Sequence, residues 1–161
     1  MITRRLLVTS SAAGLAVALM GPLAAEAAGT FEVTRTDAEW KKRLTPQQFA
    51  VLRQEATEVP FTSQLLHEKR KGVFACAGCD RAAYSSATKF ESGTGWPSFW
   101  APIDKTAVIT SRDNSLGMER TAVSCGRCGG HLGHVFNDGP KPTGLRYCMN
   151  GVAMTFKPSP A

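Results

Sequence analysis

Several things are scarce in this chain of 161 residues. No apolar run reaches the length of about 18 to 20 residues that spans a bilayer as a helix. There is no internal repeat beyond one duplicated Cys-x-x-Cys, and no low-complexity tract after the first few dozen residues. Charge is not concentrated either: Lys69-Arg70-Lys71 is the only basic run, and the formal net charge is +6. Such a run reads as a solvated turn before a strand. Without aromatic residues interleaved among the cations, a nucleic-acid surface is excluded and the charge serves solubility. Nothing after Pro60 has the periodicity of a long helix, and no stripe suits a coiled coil, so the domain is read as a monomer.

The first residues do not read as fold. Arg4-Arg5 precede an apolar stretch from Leu6 to Met20, and Ala25-Glu26-Ala27 supplies a small-residue cut site. A charged start, a short apolar core and an A-x-A pattern make residues 1–27 an export signal, cleaved, with no stable membrane insertion afterwards. The arginine pair resembles a twin-arginine signal, which exports folded proteins. The general secretory route and an uncleaved anchor are the alternatives. The expected location is extracytoplasmic, the periplasm of a bacterium. Losing two arginines and one glutamate takes the charge from +6 to +5.

The remainder suffices for one domain with its own core: a linker over residues 28–35, the domain over 36–157, and a tail over 158–161. Asp37 opens a short amphipathic stretch ending near Leu44. Thr45-Pro46-Gln47-Gln48 starts a second helix, with Thr45 as cap, Pro46 at the first position and Gln48 closing a capping box. Phe49, Leu52 and Ala56 share its face, and Pro60 is expected to end it. From Gly72 the texture changes to short β-rich runs: 73–75, 82–84, 107–110, 121–123, 132–136, 147–150 and 154–156, punctuated by Gly, Pro, Asn and Asp, as at Asp113-Asn114 and Asp138-Gly139-Pro140. Helices first and strands after predict a mainly β, α+β domain dominated by antiparallel sheet.

Four of the five cysteines are paired, as Cys76-x-x-Cys79 and Cys125-x-x-Cys128. Two tight knuckles can bring four thiolates to one zinc ion, a closed and therefore structural site. Gly78 and Gly126 inside the pairs, and Gly129 and Gly130 after the second, are expected to permit the knuckle dihedrals. The 45 residues between the pairs exceed ribbon spacing, so the sheet has to bring the knuckles together. Two disulfides are the alternative reading in an oxidising compartment, although a bridge inside Cys-x-x-Cys is strained and reducible.

The fifth cysteine, Cys148, has no structural partner. On a strand over residues 146–150, Arg146, Cys148 and Asn150 share a face. The guanidinium would then pull the thiol below the free value of about 8.5. In the segment 131–140, His134, Phe136 and Asp138 alternate onto one face, and His131 joins them if the strand bends at Gly133. Histidine beside a carboxylate makes an oriented proton donor. Trp96, in the glycine-bracketed Ser92-Gly93-Thr94-Gly95-Trp96-Pro97-Ser98-Phe99, offers a flat apolar wall. Singly, each has a plain explanation: a buried thiol, a hydrogen-bonded histidine, a core tryptophan. Together they are the parts for attack on a polarised centre.

These stretches, with His131-Leu132-Gly133-His134-Val135-Phe136-Asn137-Asp138-Gly139-Pro140 and Arg146-Tyr147-Cys148-Met149-Asn150, closely resemble the B-type methionine sulfoxide reductases over about residues 36–157. The resemblance implies two antiparallel sheets with a zinc knuckle at one edge, and reduction of the R epimer of methionine sulfoxide in oxidised proteins or peptides. It implies Cys148 as the nucleophile, and His131 and His134 as the pair that binds and protonates the sulfoxide oxygen. Asp138 and Arg146 become electrostatic supports, Asn150 a polar lining group, Trp96 the wall for the substrate methyl, and Phe136 a further apolar wall. Cys148 would end as a sulfenic acid. Two departures stand out. Thr94 occupies the position where many relatives carry a resolving cysteine, so reduction is expected from an external thiol, thioredoxin-like or small. Gly151 replaces a common serine, with a looser backbone expected there. Competing readings are a zinc-ribbon binding module without catalysis and a disulfide oxidoreductase working through the Cys-x-x-Cys pairs.

Overall fold

The computed structural model describes residues 31 to 160; the export signal read over residues 1–27 lies outside them. Two short helices come first, Asp37–Arg43 (α1) and Pro46–Gln54 (α2). Each opens on a reciprocal capping box. The Thr36 hydroxyl accepts from the Glu39 N–H while the Glu39 carboxylate accepts from the Thr36 N–H at 2.8 Å. Thr45 and Gln48 repeat the exchange at 3.2 and 3.0 Å. A cap of this kind contributes about 1 kcal/mol, a large share of the stability of so short a helix.

The second helix stops at Gln54, short of Pro60. Glu55 adopts the left-handed conformation (φ 58°), and the Ala56 N–H turns back to the Ala50 carbonyl. Ala56 therefore lies beyond the helix whose face it was expected to share. The freed segment 56–62 instead runs alongside the Trp96 loop, where Phe61 N–H donates to the Gly95 carbonyl at 2.8 Å.

Among the described residues nine strands follow, in two antiparallel sheets. Gly72–Cys76 (β1) pairs on one side with Ala82–Ser85 (β2) and on the other with Met154–Pro158 (β9). The larger sheet contains Lys89–Phe90 (β3), Ser98–Phe99 (β4), Val108–Asp113 (β5), Arg120–Cys125 (β6), His131–Phe136 (β7) and Arg146–Met149 (β8). Its order is β3-β4-β8-β7-β6-β5. All seven β-rich runs are strands, and two dipeptide strands, β3 and β4, escaped the sequence pattern because two residues carry no period. The last strand reaches Pro158, one residue into the segment read as tail.

The sheets meet through fully buried aromatic residues. Tyr84 stacks on Phe99 at 4.5 Å between centroids, and Phe74 meets Phe99 edge-on at 4.9 Å. Each large side chain removed from water stabilises by about 2 to 3 kcal/mol, with about 1 kcal/mol more from ring–ring geometry. This core fixes β4 against β8. In consequence β8 sits inside the larger sheet, with β4 on one flank and β7 on the other.

Candidate active site and metal centre

The two knuckles meet as the spacing required. Cys76 closes β1, Cys125 closes β6, and the four sulfurs lie within 4.8 Å of one another. Cys76 Sγ to Cys128 Sγ is 3.7 Å, and Cys79 Sγ to Cys125 Sγ is 3.5 Å. Four sulfurs on a tetrahedral ion with bonds of about 2.3 Å would stand about 3.8 Å apart, so the donor set fits a metal of that kind. The separations far exceed a covalent sulfur–sulfur bond. Crowded sulfurs also disfavour a common charge. Hydrogen bonds to Cys125, Cys128 and Cys79 push the Cys76 thiol up, whereas Cys128 and Cys76 hold Cys125 down. A dication at the centre would remove that competition.

The knuckles share a backbone plan. Cys76 N–H donates to the Arg81 carbonyl and Cys125 N–H to the Gly130 carbonyl, both at 2.8 Å. The left-handed residue lies just after each pair, at Asp80 (φ 66°) and Gly129 (φ 67°). The glycines inside the pairs, Gly78 and Gly126, have no such dihedral to permit. Gly126 is needed for another reason, since a Cβ there would strike the Thr106 carbonyl. The helices clamp this centre: Trp40 of α1 lies against Gly78, and Arg53 of α2 donates to the Cys128 carbonyl at 3.1 Å.

Cys148 occupies the middle of β8, paired with Ser98 of β4 on one side and His134 of β7 on the other. It lies in a cavity of about 140 Å³ with Gly133 and His134 beside it, Trp96 and Phe136 as apolar walls, and Thr57, Arg120 and Asn150 completing the rim. A larger hollow beside α2, about 380 Å³, adjoins it through Thr57 but contains none of this chemistry.

Three polar systems converge here. The Thr94 hydroxyl lies 3.8 Å from the Cys148 sulfur and continues through Ser92 to Ser98 at 2.9 and 2.7 Å. His134 Nε2 donates to Asp113 Oδ2 at 2.7 Å, and Arg120 donates to the same oxygen at 2.7 Å. Hydrogen bonds from Ser115 and His134 hold the Asp113 carboxyl well below the usual range. Arg146 forms a fork on Asp138 at 2.9 and 2.8 Å, its guanidinium 4.5 Å from the Phe136 ring centroid.

Two expectations need correction. Burial pushes the Cys148 thiol up, and this outweighs the lowering by Thr94 and Arg146. The guanidinium cannot dominate because Asp138 absorbs it. The carboxylate that orients His134 is Asp113, two strands across the sheet, not Asp138. Asp113 and Arg120 are register partners on β5 and β6, and sequence reading passed over both: Asp113-Asn114 looked like turn punctuation. The only available signal was an acid and a base flanking one hairpin turn.

His131 does reach the same side as His134. Val123 faces Gly133 while Ser124 faces His131, so Leu132 is an extra residue and the bulge reverses the alternation. Gly133 is required there, because a Cβ would strike the Cys148 carbonyl. The two imidazoles stand 5.2 Å apart, edge to face. Yet His131 is only 3% exposed, lies outside the cavity lining, and neither ring nitrogen has a hydrogen-bond partner among the described residues. Burial, then the neighbouring His134, lowers it to about 4.

Asn150 is equally buried, and its amide is committed. Oδ1 accepts from the Glu58 N–H at 2.8 Å, and Nδ2 donates to the Leu132 carbonyl at 3.1 Å. Gly151, expected to be loose, is buried and held: its N–H donates to the Glu58 carboxylate at 2.7 Å, and Ser63 Oγ fills the space a Cβ would need.

Residues 44–158 match the SelR domain. The chain is 53% identical over 127 residues to a peptide methionine sulfoxide reductase MsrB of Leptospira interrogans, covering 79% of this chain and 97% of that protein. Proteins of the same name from Agrobacterium fabrum and Methanosarcina barkeri are 50% and 55% identical, covering 79% and 78% of this chain and 94% and 88% of theirs. With the SelR domain spanning most of its length, the chain belongs to the family of B-type methionine sulfoxide reductases.

Proposed function

We propose that the protein is a peptide-methionine (R)-S-oxide reductase, and that Cys148 carries the chemistry. The observation that supports this most is the placement of the unpaired sulfur in a small cavity with an apolar Trp96–Phe136 wall and His134 directly across the strand pair. A methionine sulfoxide side chain matches those surfaces. Its methyl group packs on Trp96, and its polar oxygen turns to the imidazole side.

The Cys148 thiolate attacks the sulfoxide sulfur as the sulfoxide oxygen is protonated. His134 is the group placed to carry that proton: its Nε2–H is held by Asp113, so Nδ1 takes the proton of the Cys148 thiol and passes it to the oxygen. Oxygen passes to the cysteine sulfur, which becomes a sulfenic acid, and methionine departs as the thioether. The sulfoxide sulfur gains the two electrons that Cys148 loses. A first external thiol then condenses with the sulfenic acid, releasing water and forming a mixed disulfide. A second displaces it, restoring Cys148. The donor is a thioredoxin-like protein or a small thiol, because Thr94 provides no second sulfur and the other four cysteines are grouped together.

Cys76, Cys79, Cys125 and Cys128 would hold one zinc ion, which would serve a structural role at the end of β1 and the β6–β7 turn. The substrate is oxidised protein or peptide, and the signal over residues 1–27, twin-arginine in type, places repair outside the cytoplasm. Assay against separated R and S sulfoxides with a thiol reductant tests the proposal: turnover of R is expected, and turnover of S alone would overturn it. Persistence of turnover in Cys148→Ser would favour another nucleophile.

A further inference from the structure

Glu58 lies outside every motif that identified the site, yet one residue ties three of its parts together. Its N–H donates to Asn150 Oδ1 at 2.8 Å. Its carbonyl accepts the Trp96 indole N–H at 2.9 Å. Its half-buried carboxylate accepts the Gly151 N–H at 2.7 Å. The two backbone bonds aim the cavity's apolar wall and its buried amide. The carboxylate fixes that backbone to the β8–β9 connection. Apart from the Phe61 N–H bond to the Gly95 carbonyl, the segment has little else to hold it: α2 has ended, no strand ladder includes residues 55–62, and the side chains of Val59 and Phe61 are exposed.

From this we infer that Glu58 is a positioning residue for substrate binding: its carboxylate clamps the 56–62 segment so that Trp96 stands where the sulfoxide methyl must pack. The inference rests on the reductase reading above. The clamp works by reach and hydrogen-bond acceptance, so a glutamine should replace the glutamate and an aspartate, one methylene shorter, should not. Gly151 fits the same account. With Ser63 Oγ in the place of a Cβ, its amide is presented to Glu58 without a side chain intervening.

The test uses the full chain with a methionine-R-sulfoxide peptide, and adds the indole N–H resonance of Trp96, assigned through Trp96→Phe. For Glu58→Ala and Glu58→Asp, KM should rise by about tenfold with kcat within about threefold, as for lost ground-state positioning. The Trp96 indole signal should shift with it. Glu58→Gln should keep both near wild type. Alkylation of Cys148 by iodoacetamide should be the same in all three. Should Glu58→Ala fail to fold, the contrast between aspartate and glutamine still decides. A wild-type KM and an unmoved indole signal in Glu58→Asp would overturn the inference, as would a glutamine variant as impaired as aspartate. If wild type reduces no sulfoxide, the reductase reading fails, while the indole shift still reports whether the clamp exists.

Discussion

Cys148 and His134 face each other across adjacent antiparallel strands, with Ser98 on the other flank of the cysteine. Directly opposed residues on such a pair hold their Cβ atoms about 5 Å apart, so sheet register alone delivers the imidazole to the nucleophile. Asp113 then fixes the ring from two strands further across the sheet. Removing either partner should slow chemistry more than binding. His134→Asn is expected to lower kcat by about 100-fold, and Asp113→Asn by about tenfold, with KM changed little in both. Steady-state kinetics on a sulfoxide peptide check this; a large rise in KM with kcat intact would assign both to binding instead.

The half-buried Cys148 thiol is held above its ordinary range by desolvation. A raised value means the thiolate appears late as pH rises, so alkylation by iodoacetamide should accelerate through a midpoint above about 8.5. Arg146 is one of the groups opposing that rise, so Arg146→Gln should move the midpoint higher still. A midpoint below the free-thiol value would show that the cation outweighs burial.

His131 makes stability depend on acid. Its value falls from 6.5 in the free state to about 4 when folded. The unfolded chain therefore takes up the proton first, and stability is lost as pH drops from about 6.5 toward 4. At about 1.4 kcal/mol per pH unit the loss approaches about 3 kcal/mol. Urea unfolding at pH 6.5 and 4.5 measures it, and His131→Phe should flatten the difference. Equal slopes in the two proteins would remove His131 as the cause.

The four-sulfur centre should bind one zinc ion and govern folding. Chelation, or Cys79→Ser, is expected to release the ion and lower the melting temperature by more than about 10 °C, since several kcal/mol of folding energy are coupled to such a site. Elemental analysis beside thermal melts reads both. A protein that melts unchanged after stripping would deny the metal a structural role.

Much of this was readable from sequence because it is local. The capping box at Thr45, the seven β runs and the paired cysteines are each set by neighbours within a few residues, and the box at Thr36, equally local, passed unread. Period-two alternation showed which neighbours share a strand face with Cys148 and which with His134, but not that the two residues are paired. What escaped is what depends on register between strands distant in sequence. Asp113 and Arg120 meet His134 only because β5, β6 and β7 lie side by side. The orienting carboxylate was accordingly sought nearby, at Asp138, which instead holds Arg146. Net thiol acidity was misjudged for a related reason: alternation shows that Arg146 shares a face with Cys148, but says nothing of burial. The early end of α2 at Gln54 was hidden too, because a left-handed glutamate leaves no sequence mark.

A single turnover without any reductant is the most direct trial of the mechanism. Mixed with excess methionine-R-sulfoxide peptide, the protein should form one equivalent of methionine, lose the free thiol of Cys148, and carry one added oxygen at that residue with no internal disulfide. Methionine formed while the Cys148 thiol stays intact, or formed equally by Cys148→Ser, would contradict the account.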